Sequence, residues 1–158
     1  PSADEVARLV IAQYDKLPKR GKPQPPRQWT ILAGIVVAAP ERPLKVVALG
    51  TGVKCMPGNL TSTEGDVVLD AHAEVMTRRA FVRYLMHQIE SASAGRPTVL
   101  VPASGPGRWR LADGVSFHMY ISQAPCTFFC IDAQIAAHDF LFAFVLFFVT
   151  LGGDACIF

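Results

Sequence analysis

No Lys or Arg follows Arg110 in this 158-residue chain, and the formal net charge is only +2. A balance that small does not announce a nucleic-acid binder by itself. What positive charge there is sits early: Lys16, Lys19, Arg20, Lys22 and Arg27 crowd one segment, and Arg78, Arg79 and Arg83 another. Such clusters either face phosphate or form a solvated face. Cysteine is scarce. Cys55, Cys126, Cys130 and Cys156 are an even number, but a chain this long and apolar has no need of a disulfide framework. The first residues, Pro1-Ser2-Ala3-Asp4-Glu5, are neither basic nor apolar, so no signal peptide is visible and an intracellular location is the default, nucleus and cytoplasm not being distinguished. A start at Pro rather than Met points to a fragment or a processed start. No internal repeat is evident. The longest apolar run, 140–151, is shorter than the ~20 residues a membrane helix needs, so no membrane partner is expected.

What is present reads as globular: 51% hydrophobic and 18% charged residues, enough length for one domain with a real core. Ser2 and Glu5 fit a helix N-cap and capping box, and Val6, Leu9, Val10, Ile11, Tyr14 and Leu17 follow with helical spacing. A basic, Pro-rich loop follows over 18–28. Two β-branched runs, 29–39 and 44–49, flank Pro40-Glu41-Arg42-Pro43 and predict a hairpin. Residues 50–68 form a long loop with four Gly, suggestive of function. A helix is expected from near His72, with Asp70 as its cap and Val75, Val82, Met86 and Ile89 on one face. Residues 94–114 read as loop with a short strand near Trp109, 115–122 as a strand, and Pro125 as the first turn of another helix. The order implies an α/β layered domain.

Two motifs carry chemistry. Asp70-Ala71-His72-Ala73-Glu74-Val75 contains H-x-E, and Ala124-Pro125-Cys126 contains P-C. In zinc-dependent deamination of a nucleobase, H-x-E supplies one metal ligand and a carboxylate proton shuttle, and a later P-C supplies another ligand. Three protein ligands leave the fourth position for a water whose pKa the metal lowers. His72 at a helix start suits a ligand, Glu74 could reach the water, and Cys126 at a second helix start would be favoured as a thiolate. The usual P-C-x-x-C spacing is exceeded by one residue at Cys130, which still falls one helical turn from Cys126. His87, His118 and His138 read as ordinary structural or surface residues, and Cys55 as a packed loop residue.

The run Val46-Val47-Ala48-Leu49-Gly50-Thr51-Gly52-Val53-Lys54-Cys55, then 70–85 around His72, and Phe117-His118-Met119-Tyr120-Ile121-Ser122 before Pro125-Cys126, resembles the adenosine-to-inosine editase domain shared by deaminases of tRNA and of double-stranded RNA. The resemblance covers most of 3–126, so the chain reads as the N-terminal part of that domain. It implies a cytidine deaminase-like α/β core with helices packed on a mixed sheet. It also implies zinc on His72 and Cys126, Glu74 as proton shuttle, and Lys54 near the substrate strand. Arg78 and Arg79 match residues that bind a buried inositol hexakisphosphate, although Leu69 replaces a frequent Asn there; beside Lys54, Val53 replaces the usual Thr of a ribose contact. The family follows P-C directly with G-D-A. Here Gly153-Asp154-Ala155 arrives only after 127–152, which has no Lys, Arg, Glu or Pro. That segment is expected to be an insert or a mistranslated intron within a partial domain over 1–158. The family's third ligand is a Cys beyond that motif, leaving Cys130 and Cys156 as weak stand-ins. Tyr84-Leu85-Met86-His87-Gln88 resembles the tRNA branch. The expected activity is hydrolytic deamination of adenosine in RNA, most readily tRNA, with no obligate protein partner. Two alternatives stay open: an inactive RNA-binding relic, and a zinc deaminase of a free nucleoside or base.

Overall fold

A computed structural model of the chain describes residues 1–20, 22–55, 64, 67–105 and 107–123. Helix α1 spans Ala3–Asp15, and the Ser2 hydroxyl accepts from the Glu5 backbone N–H at 3.2 Å, the predicted cap. Strands β1 (Leu32–Ala39) and β2 (Arg42–Thr51) form the predicted hairpin. Its turn is tighter than expected. Ala39 pairs with Arg42, so only Pro40 and Glu41 turn the chain, and Glu41 takes φ +57°. Pro followed by a positive φ is the pattern of a type II turn. Arg42 and Pro43 therefore belong to the strand.

Helix α2 spans Ala73–Ser93, β3 Leu100–Pro102, β4 Trp109–Leu111 and β5 Ser116–Ile121. One sheet has the order β2-β1-β5, both pairings antiparallel; β3 and β4 form a separate hairpin, of which the sequence showed only the second strand. The β1 strand is central and covered by a helix on each face. Sandwiching of that kind explains why it reads as a continuous apolar run rather than an alternating one. On one face Val6 and Val10 of α1 pack with Leu32 and Val36. On the other, Phe81 and Leu85 of α2 pack with Ala33, Ile35, Val37, Phe117 and Met119. Phe81 meets Phe117 edge-on, ring centroids 4.8 Å apart.

The buried stripe of α2 corrects the expected one. Ala73, Thr77, Phe81 and Leu85 face the core at i, i+4 spacing, whereas Met86 is 58% exposed. Counting only aliphatic residues placed the stripe one position off, because Thr77 hides among them. Its hydroxyl is fully buried and donates to the Ala33 carbonyl at 3.1 Å. Thr77→Val should therefore cost about 1 kcal/mol, read as a lower urea midpoint at unchanged m.

His118 is a structural histidine, as expected. It is 9% exposed on β5, its Nε2 lies 2.9 Å from the Ser116 hydroxyl, and burial pushes its pKa below the ordinary value. Among the described residues no helix is long and apolar enough to cross a membrane. The expected helix from Pro125, the 127–152 segment with its apolar run, and His138 lie outside the described residues.

Candidate metal and substrate site

The site end of the sheet is built by close backbone approach. Gly50 sits beneath α2: a Cβ there would lie 2.7 Å from the Ala73 oxygen and from the Thr77 nitrogen and hydroxyl. A Cβ on Gly52 would run into the Ala71 carbonyl oxygen. Glycine at these two positions lets the end of β2 lie against the start of α2. The Gly52 N–H donates to the Ile31 carbonyl at 3.2 Å, and the Gly52 carbonyl accepts from Ala73 N–H at 3.2 Å. Lys54 accepts from Ala71 N–H at 3.3 Å, and Cys55 pairs with Asp70 in an antiparallel bridge. Residues 52–55 thus run alongside 70–73 and hold His72 in place. The end of β5 comes to the same edge, where the Ser122 N–H donates to Leu32 at 2.9 Å and its hydroxyl accepts from Leu32 N–H at 3.0 Å.

His72 is the N-cap residue of α2, extended at φ −63° and ψ 146°. The chain bends between His72 and Glu74, so the two side chains are not held in the divergent i, i+2 relation of a helix. Glu74 is half-buried in the first turn, where the helix terminus favours a carboxylate. Asp70 does not occupy the cap position expected of it. It lies two residues earlier, and its Oδ1 accepts from the His72 backbone N–H at 3.0 Å and lies 2.8 Å from His72 Nδ1. The His72 backbone N–H, then its side chain, hold the Asp70 carboxyl below its ordinary range, with the Cys55 thiol adding to the effect.

Two ligands on one tetrahedral zinc stand about 3.3 Å apart when both are N or O. A separation of 2.8 Å is instead a charge-assisted hydrogen bond. Asp70 therefore reads as the orienting carboxylate: it fixes the proton on Nδ1 and leaves the Nε2 lone pair for a metal.

Cys55 is the residue that sequence reasoning misjudged. It is exposed, not packed, and its Sγ lies 3.7 Å from His72 Nδ1. Seventeen residues separate the two in sequence, and the pairing of 52–55 with 70–73 brings them together; no periodicity signals such a contact. Cys55, Asp70 and His72 offer sulfur, oxygen and nitrogen donors all within 4.8 Å of one another. Thiolate and imidazole are zinc donors, so Cys55 and His72 fit that metal, with Asp70 orienting the ring rather than binding it.

Lys54 is exposed beside this group. Arg78 and Arg79 are exposed on α2, and among the described residues nothing covers them as a buried polyanion would require. Cys126, Cys130 and Cys156 lie outside the described residues.

Across 140 aligned residues the chain is 39% identical to tRNA-specific adenosine deaminase 1 of Mus musculus, covering 79% of this chain and 28% of the relative. It is 35% identical to the protein of the same name in Schizosaccharomyces pombe, covering 77% of the chain and 33% of the relative. Against double-stranded RNA-specific editase Adar of Drosophila melanogaster it is 34% identical, covering 78% and 19%. The chain thus spans about a third or less of the length of these relatives. Residues 48–139, which begin in β2 and take in Lys54, His72 and Glu74, match the adenosine-deaminase (editase) domain, and the chain belongs to that family.

Proposed function

We propose that this chain carries part of the active site of a zinc-dependent deaminase that converts adenosine to inosine in RNA. The observation that carries the reading is His72, held at the mouth of α2 by Asp70, with a thiol beside it and Glu74 in the following turn. His72 supplies the imidazole ligand through Nε2. Cys55 is the thiol the fold brings to it, and Cys126 is the ligand that family resemblance implies. The chemistry zinc supplies in such a site is to lower the pKa of a water to about 7.

Glu74 takes the proton from the attacking water and delivers it to N1 of the adenine. With the water oxygen bonded to C6, Glu74 takes the remaining hydroxyl proton and hands it to the departing amino group as the C6–N6 bond breaks, so adenosine and water yield inosine and ammonia. Lys54, exposed on the strand that borders His72, contacts the substrate phosphates. The 39% identity to the mouse tRNA-specific relative, against 34% to the double-stranded RNA editase, favours tRNA, where loop bases unstack into a pocket at low cost. In the same reading, 127–152 interrupts the P-C and G-D-A halves of one motif.

The test is to incubate the full-length protein with tRNA, duplex RNA and free adenosine, and to quantify inosine by mass spectrometry. Conversion in tRNA is expected. Conversion of free adenosine alone would refute the RNA reading. Metal content separates the roles at the site. His72→Ala should leave the protein without bound zinc, and Asp70→Asn should weaken zinc binding by about 10- to 100-fold while the fold persists. Unchanged zinc affinity in Asp70→Asn would show that the carboxylate does not orient the ligand.

A further inference from the structure

The segment entering β1 has no role in the chemistry above, yet its composition is one-sided. From Lys16 to Pro40 there is no Asp or Glu, while Lys16, Lys19, Arg20, Lys22 and Arg27 all fall within it. Lys22 is used by the fold: its ammonium donates to the Asp15 carbonyl at 3.1 Å and sits 4.6 Å over the Tyr14 ring. Lys16, Lys19, Arg20 and Arg27 are exposed, and among the described residues none forms an ion pair. Trp29, within this segment, is 66% exposed, the most exposed large apolar side chain among the described residues. An exposed indole offers an apolar face on which a flat ring can stack.

Its place in the fold gives that exposure meaning. Trp29 is two residues from Ile31, whose carbonyl accepts from Gly52 N–H. Two residues of chain reach at most about 7 Å, so the Trp29 backbone lies within that distance of the strand end tied to Gly52, from which the chain runs on to Lys54 and Cys55.

We propose that this segment is the grip for single-stranded RNA next to the target base: one neighbouring base stacks on Trp29, and the backbone phosphates lie on Lys16, Lys19, Arg20 and Arg27. Aromatic stacking beside a cationic track is how proteins hold single strands without reading sequence. This inference rests on the RNA-deaminase reading.

The experiment is fluorescence anisotropy of a fluorescein-labelled RNA stem-loop with one adenosine in its loop, titrated with the full-length protein across a range of salt. Trp29→Ala should weaken binding about tenfold without changing the salt dependence. Trp29→Phe, which preserves a stacking ring, should bind within about threefold of the parent, and the RNA-induced quenching of indole fluorescence should largely vanish. Replacing Lys16, Lys19, Arg20 and Arg27 together by Ala should flatten the slope of log K against log salt by up to ~3. If the parent binds this RNA and every variant matches it, the grip lies elsewhere and the inference falls alone. If the parent binds no RNA, the inference falls together with the deaminase reading.

Discussion

Glu74→Gln leaves a protein that folds and holds zinc as the parent does, yet makes inosine at least ~10³-fold more slowly. A positioned general acid–base contributes about 10²–10⁴-fold to rate, and here one carboxylate serves every proton transfer, so the loss falls in the upper part of that range. The amide keeps the shape and hydrogen-bonding capacity of the side chain but cannot take up a proton. It therefore isolates chemistry from packing at this half-buried position. Zinc content by mass spectrometry and the thermal transition serve as controls. Full activity in Glu74→Gln would remove Glu74 from the mechanism. Lost zinc would make it a ligand instead.

The second large effect is structural. Gly52→Ala places a methyl group against the Ala71 carbonyl, a backbone atom that cannot swing aside as a side chain can. Overpacking of that kind costs about 3 kcal/mol, which lowers Tm by roughly 10 °C for a domain of this size. The strain lands between the end of β2 and the start of α2, so it parts Cys55 and Lys54 from His72. Activity and zinc affinity should both collapse. Gly95→Ala is the comparison. Gly95 also has positive φ, +71°, but a Cβ there meets nothing within 4 Å. It should cost only about 1 kcal/mol, the price of a left-handed conformation, with activity intact. Equal behaviour of the two variants would show that crowding at Gly52 is not what matters.

Much of this fold was legible because its signals are local. The Ser2 cap, the helical spacing of Val6 and Val10, the β-branched runs around Pro40 and the strand over 115–122 each act over a few residues, and the structure bears these elements out, although Phe117, His118 and Met119 are buried in succession rather than in alternation. The misreadings share a cause. Thr77 was passed over because a hydroxyl looks polar until a partner such as the Ala33 carbonyl is known. The β3 strand is three residues long and is defined by its pairing with β4, not by its own pattern. At the site, H-x-E points to His72 and Glu74, which the structure puts at the start of α2. Asp70 was noticed for the wrong reason, as a helix cap, when its carboxylate serves the His72 ring. Cys55 carried no signal at all, since its neighbours are set by a bridge that closes over a long loop.

That bridge has a consequence for how this region can change. Cys55 and Asp70 mark the points where the chain leaves the site and comes back to it. Because the two ends are tied side by side, a change in the number of residues joining them need not move either end. Doubling the length of such a tether adds only about 0.6 kcal/mol of closure entropy. The position is therefore a permissive port, where evolution or an engineer can splice in new recognition sequence without retuning the chemistry next door.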